Sequence, residues 1–256
     1  MMNSTAPRRW SSLRPALGAL MLVASLSNAF AQEPHSVNTP ITTSVSLDTR
    51  QQAILPIAAF AAVGDLGKLN PALNQGLDAG LSISEVREVL VQLYAYAGFP
   101  RSLNALGELL KVVQARKQAG IVDDPGREPS RPAPQGDALL AAGTANQTKL
   151  AGAPVQGPLF DFAPVANEYL RTHLFGDIFE RDNLDWQHRE LATVAMLAAM
   201  SGVEPQLQAH MRISLNTGLT AGQLGEVSQV LAARVSPEAG RRAAEALARQ
   251  VGQVGQ

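Results

Sequence analysis

The sequence predicts an all-α fold built from two fused copies of one helical unit. Three observations predict it. Apolar residues, mostly Ala and Leu, recur at helical spacing, with little of the β-branched alternation that strands require. Glycines, prolines and capping residues interrupt that pattern at helix-length intervals. The chain also matches itself under a shift of 138 residues.

Residues 1–31 read as a signal peptide. Arg8, Arg9 and Arg14 supply the positive start, an apolar stretch runs from Ala16 to Leu26, and Ala29-Phe30-Ala31 offers a small-x-small cleavage site. The apolar run is too short to span a bilayer; an uncleaved N-terminal anchor is the alternative. Cleavage after Ala31 would place the mature chain in the periplasm or outside the cell. It would remove three arginines and no acid, taking the formal charge from −1 to −4. Residues 32–48 then form a polar, Pro- and Thr-rich extended leader.

The first unit spans 49–119. Helical patterning begins near Gln51, breaks at Gly64–Gly67, resumes at Lys68 and breaks again at Gly80–Ser82. Ser82-Ile83-Ser84-Glu85 opens a long helix that runs through Tyr96. Gly98-Phe99-Pro100 interrupts it, and Leu103 to Gln118 forms the next helix. Residues 120–158 read as a linker, rich in Pro, Gly and charge up to 136 and poor in regular signals after it. The second unit, 159–256, resumes with a helix at Ala163–Phe175 and another from the N-cap Asp185 to Ser201. A Gly202–Pro205 turn, a helix from Gln206, a break at Gly218 and a last pair of helices follow.

The 138-residue shift holds without a gap from Ala53 to Ala95. It superposes Gly64 on Gly202, Gly80-Leu81 on Gly218-Leu219, Glu88-Val89 on Glu226-Val227 and Leu93 on Leu231. Chance pairing in an Ala/Leu-rich chain would supply some of these identities. It would not readily align two turn glycines at the points where both helical patterns stop.

Several function classes fall away on composition. There is no cysteine in the 256 residues, so no thiolate nucleophile, redox dithiol or Cys-ligated metal site exists in this sequence. The four histidines form no ligand spacing, and no phosphate-binding glycine loop or serine elbow occurs. No cofactor is expected. A mildly acidic chain has no electrostatic reason to bind nucleic acid, or a membrane once the leader is cleaved.

The second unit carries His188-Arg189-Glu190-Leu191-Ala192, then an Ala-rich stretch, then Gln206-Leu207-Gln208-Ala209-His210 and Asn216-Thr217-Gly218-Leu219-Thr220. The first carries Tyr94 to Leu106, with Gly98-Phe99-Pro100-Arg101 at its centre. In order and spacing these segments resemble the carboxymuconolactone decarboxylase family. The resemblance covers roughly 50–117 and 160–250, and it implies an AhpD-like bundle of antiparallel helices. Such bundles intertwine in homo-oligomers, here a trimer or dimer of tandem chains. The family includes thiol peroxidases, but the corresponding region here, Gly202 to Gln206, holds no sulfur. The other branch decarboxylates an unsaturated, carboxylated lactone, which needs a proton donor near neutrality, a cation for carboxylate and donors for the developing oxyanion.

On that resemblance His210 is the candidate general acid, with Glu190 orienting it. Read without the resemblance, His210 is a satisfied helix histidine and Glu190 a favourable charge in a first turn. In a flush hairpin closing at 202–205 the two would be offset by about 10 Å along the helix axes. At the positions of Glu190 and His210 the first unit has Gln52 and Ala72, whereas Tyr96 and Arg101 have no counterpart of like chemistry in the second. One composite site per chain follows as an expectation, with Tyr96, Arg101 and Asn104 facing the imidazole and binding a small carboxylated organic substrate. Packing of Tyr94 and Tyr96 at a helix end, with Arg101 in solvent, is the competing reading. The expected activity is that of a carboxy-lyase; a non-catalytic binding or assembly module on the same scaffold is the alternative.

Overall fold

A computed structural model describes residues 46–254. The expected signal peptide and all but the last three residues of the expected leader lie outside the described residues. Every described regular element is helical.

Two central helices carry the core. α1 (Thr49–Val63) is closed at its start by a reciprocal cap, in which Asp48 accepts from the Gln51 backbone and Gln51 from the Asp48 backbone. Every residue from Ala53 to Ala62 is buried. α9, described below, is buried just as completely from Arg189 to Ala198. A helix apolar around its whole circumference belongs in a core, and the many alanines let these two pack closely against each other.

Around α1 lie α2 (Leu66–Asp78), α3 (Ile83–Gln92), the single turn α4 (Tyr94–Ala97) and α5 (Phe99–Gln118). The helix expected to run through Tyr96 is thus broken at Leu93. α5 begins four residues before the expected start, because Pro100 sits in its first turn, where a missing N–H costs nothing. Then come α6 (Asp137–Ala151), α7 (Pro158–Phe162), α8 (Pro164–Tyr169) and a π-helical segment, Leu170–Ile178. Around α9 (Trp186–Ala199) lie α10 (Glu204–Asn216), α11 (Ala221–Arg234) and α12 (Pro237–Val254).

The elements keep the 138-residue offset. α2 and α10 start and end in register, α3 and α11 start in register, and so do α5 and α12. Ser82 with Glu85, and Thr220 with Gln223, close the same reciprocal cap. Gly64 and Gly202 turn at φ 78° and 79°, and Gly80 and Gly218 at 89° and 96°, a region that favours glycine at all four corners. The two halves interlock: α11 touches α1, while α3 and α4 touch α9.

One expectation is corrected. The stretch 120–158 is not irregular throughout, because α6 fills 137–151. Gly143, Thr144 and Asn146 dilute its apolar pattern and conceal the helix. Gly143 instead permits a close crossing: a Cβ there would stand 1.7 Å from the Arg171 carbonyl oxygen of the π-helical segment. Leu150, Leu174, Phe175, Ile178, Phe179 and Ile213 form a second apolar cluster at this crossing, against which Tyr94 and Tyr96 pack.

Candidate active site

Glu190 projects from the start of the second turn of α9 and His210 from the middle of α10. Their side chains meet directly, His210 Nδ1 standing 2.8 Å from Glu190 Oε2. Glu190 is fully buried and the His210 side chain is 9 % exposed. The offset is smaller than a hairpin closing at 202–205 predicts. Met200 is extended at the end of α9 (φ −87°, ψ 151°), and α10 starts at Glu204, two residues before the expected Gln206. Glu190 then lies nine residues from the end of α9 and His210 six from the start of α10, a mismatch of about 4.5 Å along the axes that the two side chains span.

Tyr96, on the short turn α4, closes the group from the first half of the chain. Its ring stands edge-on to the His210 ring, 5.4 Å between centroids and 78° between planes. Its hydroxyl is buried without a hydrogen-bond partner, and so is Glu190 Oε1. Burial pushes the Tyr96 phenol far up and the nearby Glu190 carboxylate adds to that, against smaller opposing effects of the neighbouring Thr193 side chain and the Arg189 charge, so the phenol stays neutral at physiological pH.

A polar network that sequence reasoning missed lies behind this group. Arg189 is fully buried; its Nη2 donates to Glu88 Oε2 at 3.2 Å and to the Arg181 carbonyl at 2.8 Å, and its Nη1 to Gln92 Oε1 at 3.2 Å. Arg181 grips Glu88 with two further bonds of 2.9 and 2.6 Å. Gln92 Nε2 donates to Thr193 Oγ1 at 2.7 Å. Burial pushes the Glu88 carboxyl up, but the Arg181 hydrogen bond and the Arg189 charge outweigh it and hold the group below its ordinary range. The network ties α3 to α9 and sets the side of α9 from which Glu190 projects. One signal was available: Glu88 and Glu226 are identical under the 138-residue shift. Glu226 holds the start of α1, accepting from Leu47 N at 2.7 Å and Gln52 Nε2 at 2.8 Å, much as Glu88 holds the start of α9.

Arg101 and Asn104 stand elsewhere. Arg101 lies in the first turn of α5, where its Nη1 donates to the Ala62 carbonyl at the end of α1 and lies 3.7 Å from the Met200 sulfur. Met200 is ten residues beyond Glu190, about 15 Å along α9. The guanidinium therefore satisfies a C-terminal helix carbonyl rather than facing the imidazole. Asn104 is exposed on α5. The break at Gly98 (φ 82°, ψ 159°) separates Tyr96 from this pair by turning the chain between α4 and α5.

His188 is half-buried with Nδ1 2.7 Å from Asp185, the N-cap of α9. Burial pulls this imidazole down, yet the Asp185 hydrogen bond and the charges of Asp185, Glu85 and Asp48 outweigh it and raise it above the ordinary value. Tyr94 stacks on Phe99 at 4.5 Å and packs the helix end.

Residues 164–249 match the carboxymuconolactone decarboxylase family. The matched segment runs from α8 through most of α12 and contains Glu190 and His210; Tyr96 lies outside it. Comparison with curated proteins finds no match. Among the described residues no helix is long and apolar enough to cross a membrane.

Proposed function

We propose that the chain is a cofactor-free carboxy-lyase of the carboxymuconolactone decarboxylase type, with His210 as general acid, Glu190 as its orienting base and Tyr96 as hydrogen-bond donor. The observation that carries this reading is the 2.8 Å His210–Glu190 contact in a buried setting, edge-on to a tyrosine whose hydroxyl has no partner. Holding Nδ1 against Glu190 directs Nε2 away from the carboxylate, toward whatever occupies the site. In decarboxylation of an unsaturated lactone the bond to the departing carboxylate breaks and its electron pair passes into the lactone carbonyl. The Tyr96 O–H would steady that oxyanion, and His210 Nε2–H would deliver the proton to carbon. Release of CO2 and uptake of one proton balance the step. The substrate class is a small carboxylated organic molecule.

The two halves of the chain are read as a duplication in which only one ancestral site kept its acid–base pair. The chain is further read as exported, cleaved after Ala31, and as a homo-oligomer. A second function, a non-catalytic binding or assembly module, draws on the depth of the pair, since little of the His210 side chain meets solvent.

The test is CO2 release or lactone loss by residues 32–256 across a panel of carboxylated lactones. His210→Ala is expected to lower turnover of any active substrate by about 10²- to 10⁴-fold. It also leaves Glu190 buried without its partner, with a stability loss on the order of 3 kcal/mol in urea unfolding. His210→Gln, which can still donate to Glu190, separates the two effects by restoring stability without activity. Turnover unchanged in both variants overturns the catalytic assignment.

A further inference from the structure

The 138-residue offset places a counterpart of the acid–base site elsewhere in the molecule. Glu190, His210 and Tyr96 correspond to Gln52, Ala72 and Arg234. Ala72 cannot fill the space that an imidazole fills in the other half, and a groove of about 250 Å³ stands there. Its buried floor is Pro56 and Phe60 of α1 with Ala72 of α2, and its exposed rim carries Lys68, Pro71, Gln75 and Arg234. Where one half of the fold holds a carboxylate, an imidazole and a phenol, the other has an apolar hollow edged by two cations.

The charge at this rim is poorly compensated. The Arg234 guanidinium donates to the neutral Gln75 amide at 2.9 Å. Lys68 has a carboxylate neighbour, Asp65 at 3.5 Å, but both side chains are solvated (64 % and 37 % exposed), so the pair is weak. The Lys68 ammonium also lies 5.7 Å from the centroid of the Phe60 ring, over the groove floor.

We propose that this groove is a second ligand site, taking a small monocarboxylate with an apolar ring: the ring on Phe60, Pro56 and Pro71, the carboxylate between Lys68 and Arg234. The volume lies below the roughly 300–1,000 Å³ of drug-sized sites and suits one ring. A carboxylate is favoured over a bare inorganic anion because the floor is apolar and can shed its water only against apolar atoms. The assignment is independent of whether His210 is catalytic.

The test is calorimetric titration of the full chain with benzoate, with benzamide as its neutral isostere and inorganic phosphate as a bare anion. Benzoate is expected to bind saturably, benzamide and phosphate at least about tenfold more weakly. Arg234→Met and Lys68→Met should each lower benzoate affinity about tenfold, the loss of one charge-assisted contact. Ala72→Met should abolish binding by filling the floor, whereas His210→Gln, which keeps a donor for Glu190, should leave it unchanged. Both cationic residues are exposed, so their variants are expected to fold. Equal binding of benzamide or phosphate, indifference to Arg234→Met, loss of binding in His210→Gln, or no saturable uptake of benzoate each overturns the proposal.

Discussion

Tyr96 concentrates the chemistry of the site in one hydroxyl. A buried O–H without a partner costs about 1–3 kcal/mol, and the fold retains it beside a carboxylate and an imidazole. Replacing it should therefore separate stability from function. Tyr96→Phe is expected to leave the thermal midpoint unchanged or raised while lowering turnover; calorimetry and the lactone assay read the two outcomes. A clear drop in stability with full activity would make Tyr96 a packing residue. At His210 and Glu190 the residue types and the family resemblance were legible in the sequence, but their contact was not. A count along ideal helices offsets them by about 10 Å, and the early end of α9 and early start of α10 cut that to a gap side chains can span. Arg101 misled for a related reason. A guanidinium two residues past a Gly-Phe turn looks available for substrate, and nothing local reveals that the Ala62 carbonyl stands within its reach.

Between elements, the Glu88–Arg189–Arg181 network is the principal polar joint. The Glu88 carboxyl is depressed below the ordinary glutamate range, so its contribution is fully present above that range and is lost as pH falls through the folded-state pKa. Glu88→Gln should destabilise at neutral pH and converge on the wild type only in acid, once pH has fallen through that depressed pKa, as read by urea midpoints across pH. A gap that persists in acid would assign the loss to packing instead. The crossing of α6 with the π-helical segment is the principal apolar joint outside the core. Gly143→Ala should force the two backbones apart, costing about 1–3 kcal/mol and exposing amides of 137–178 to hydrogen exchange while α1 and α9 stay protected. Gly107→Ala is the control. An added Cβ meets nothing there within 4 Å, and helix propensity alone should stabilise α5 by about 0.5–1 kcal/mol. Helix starts marked by Ser82 and Asp185 could be read locally because a side-chain cap is a short-range bond. α6 could not, since its Gly143 is explained only by a partner met 28 residues later.

For the molecule as a whole, apolar side chains left on the surface bear on assembly. Phe99, Leu103 and Leu110 are 60, 61 and 57 % exposed along one face of α5. If the expected homo-oligomer covers that face, Leu103→Glu with Leu110→Glu should shift the mass in light scattering from oligomer to monomer and leave the helical signal intact. An unchanged mass would place the interface elsewhere or leave the chain monomeric. The helical class, the absence of cysteine, the internal offset and the residue types of the proposed acid–base pair could all be read from the chain alone. Each depends on residue type, on helical period or on local capping, and those act over a few residues or can be counted. The meeting of His210 with Glu190, the buried Arg189 network, the displacement of Arg101 and the cationic groove around Ala72 came only with the folded molecule. Each depends on how far one helix slides along another, and that is decided by the shared packing of α1 and α9 rather than by any one segment.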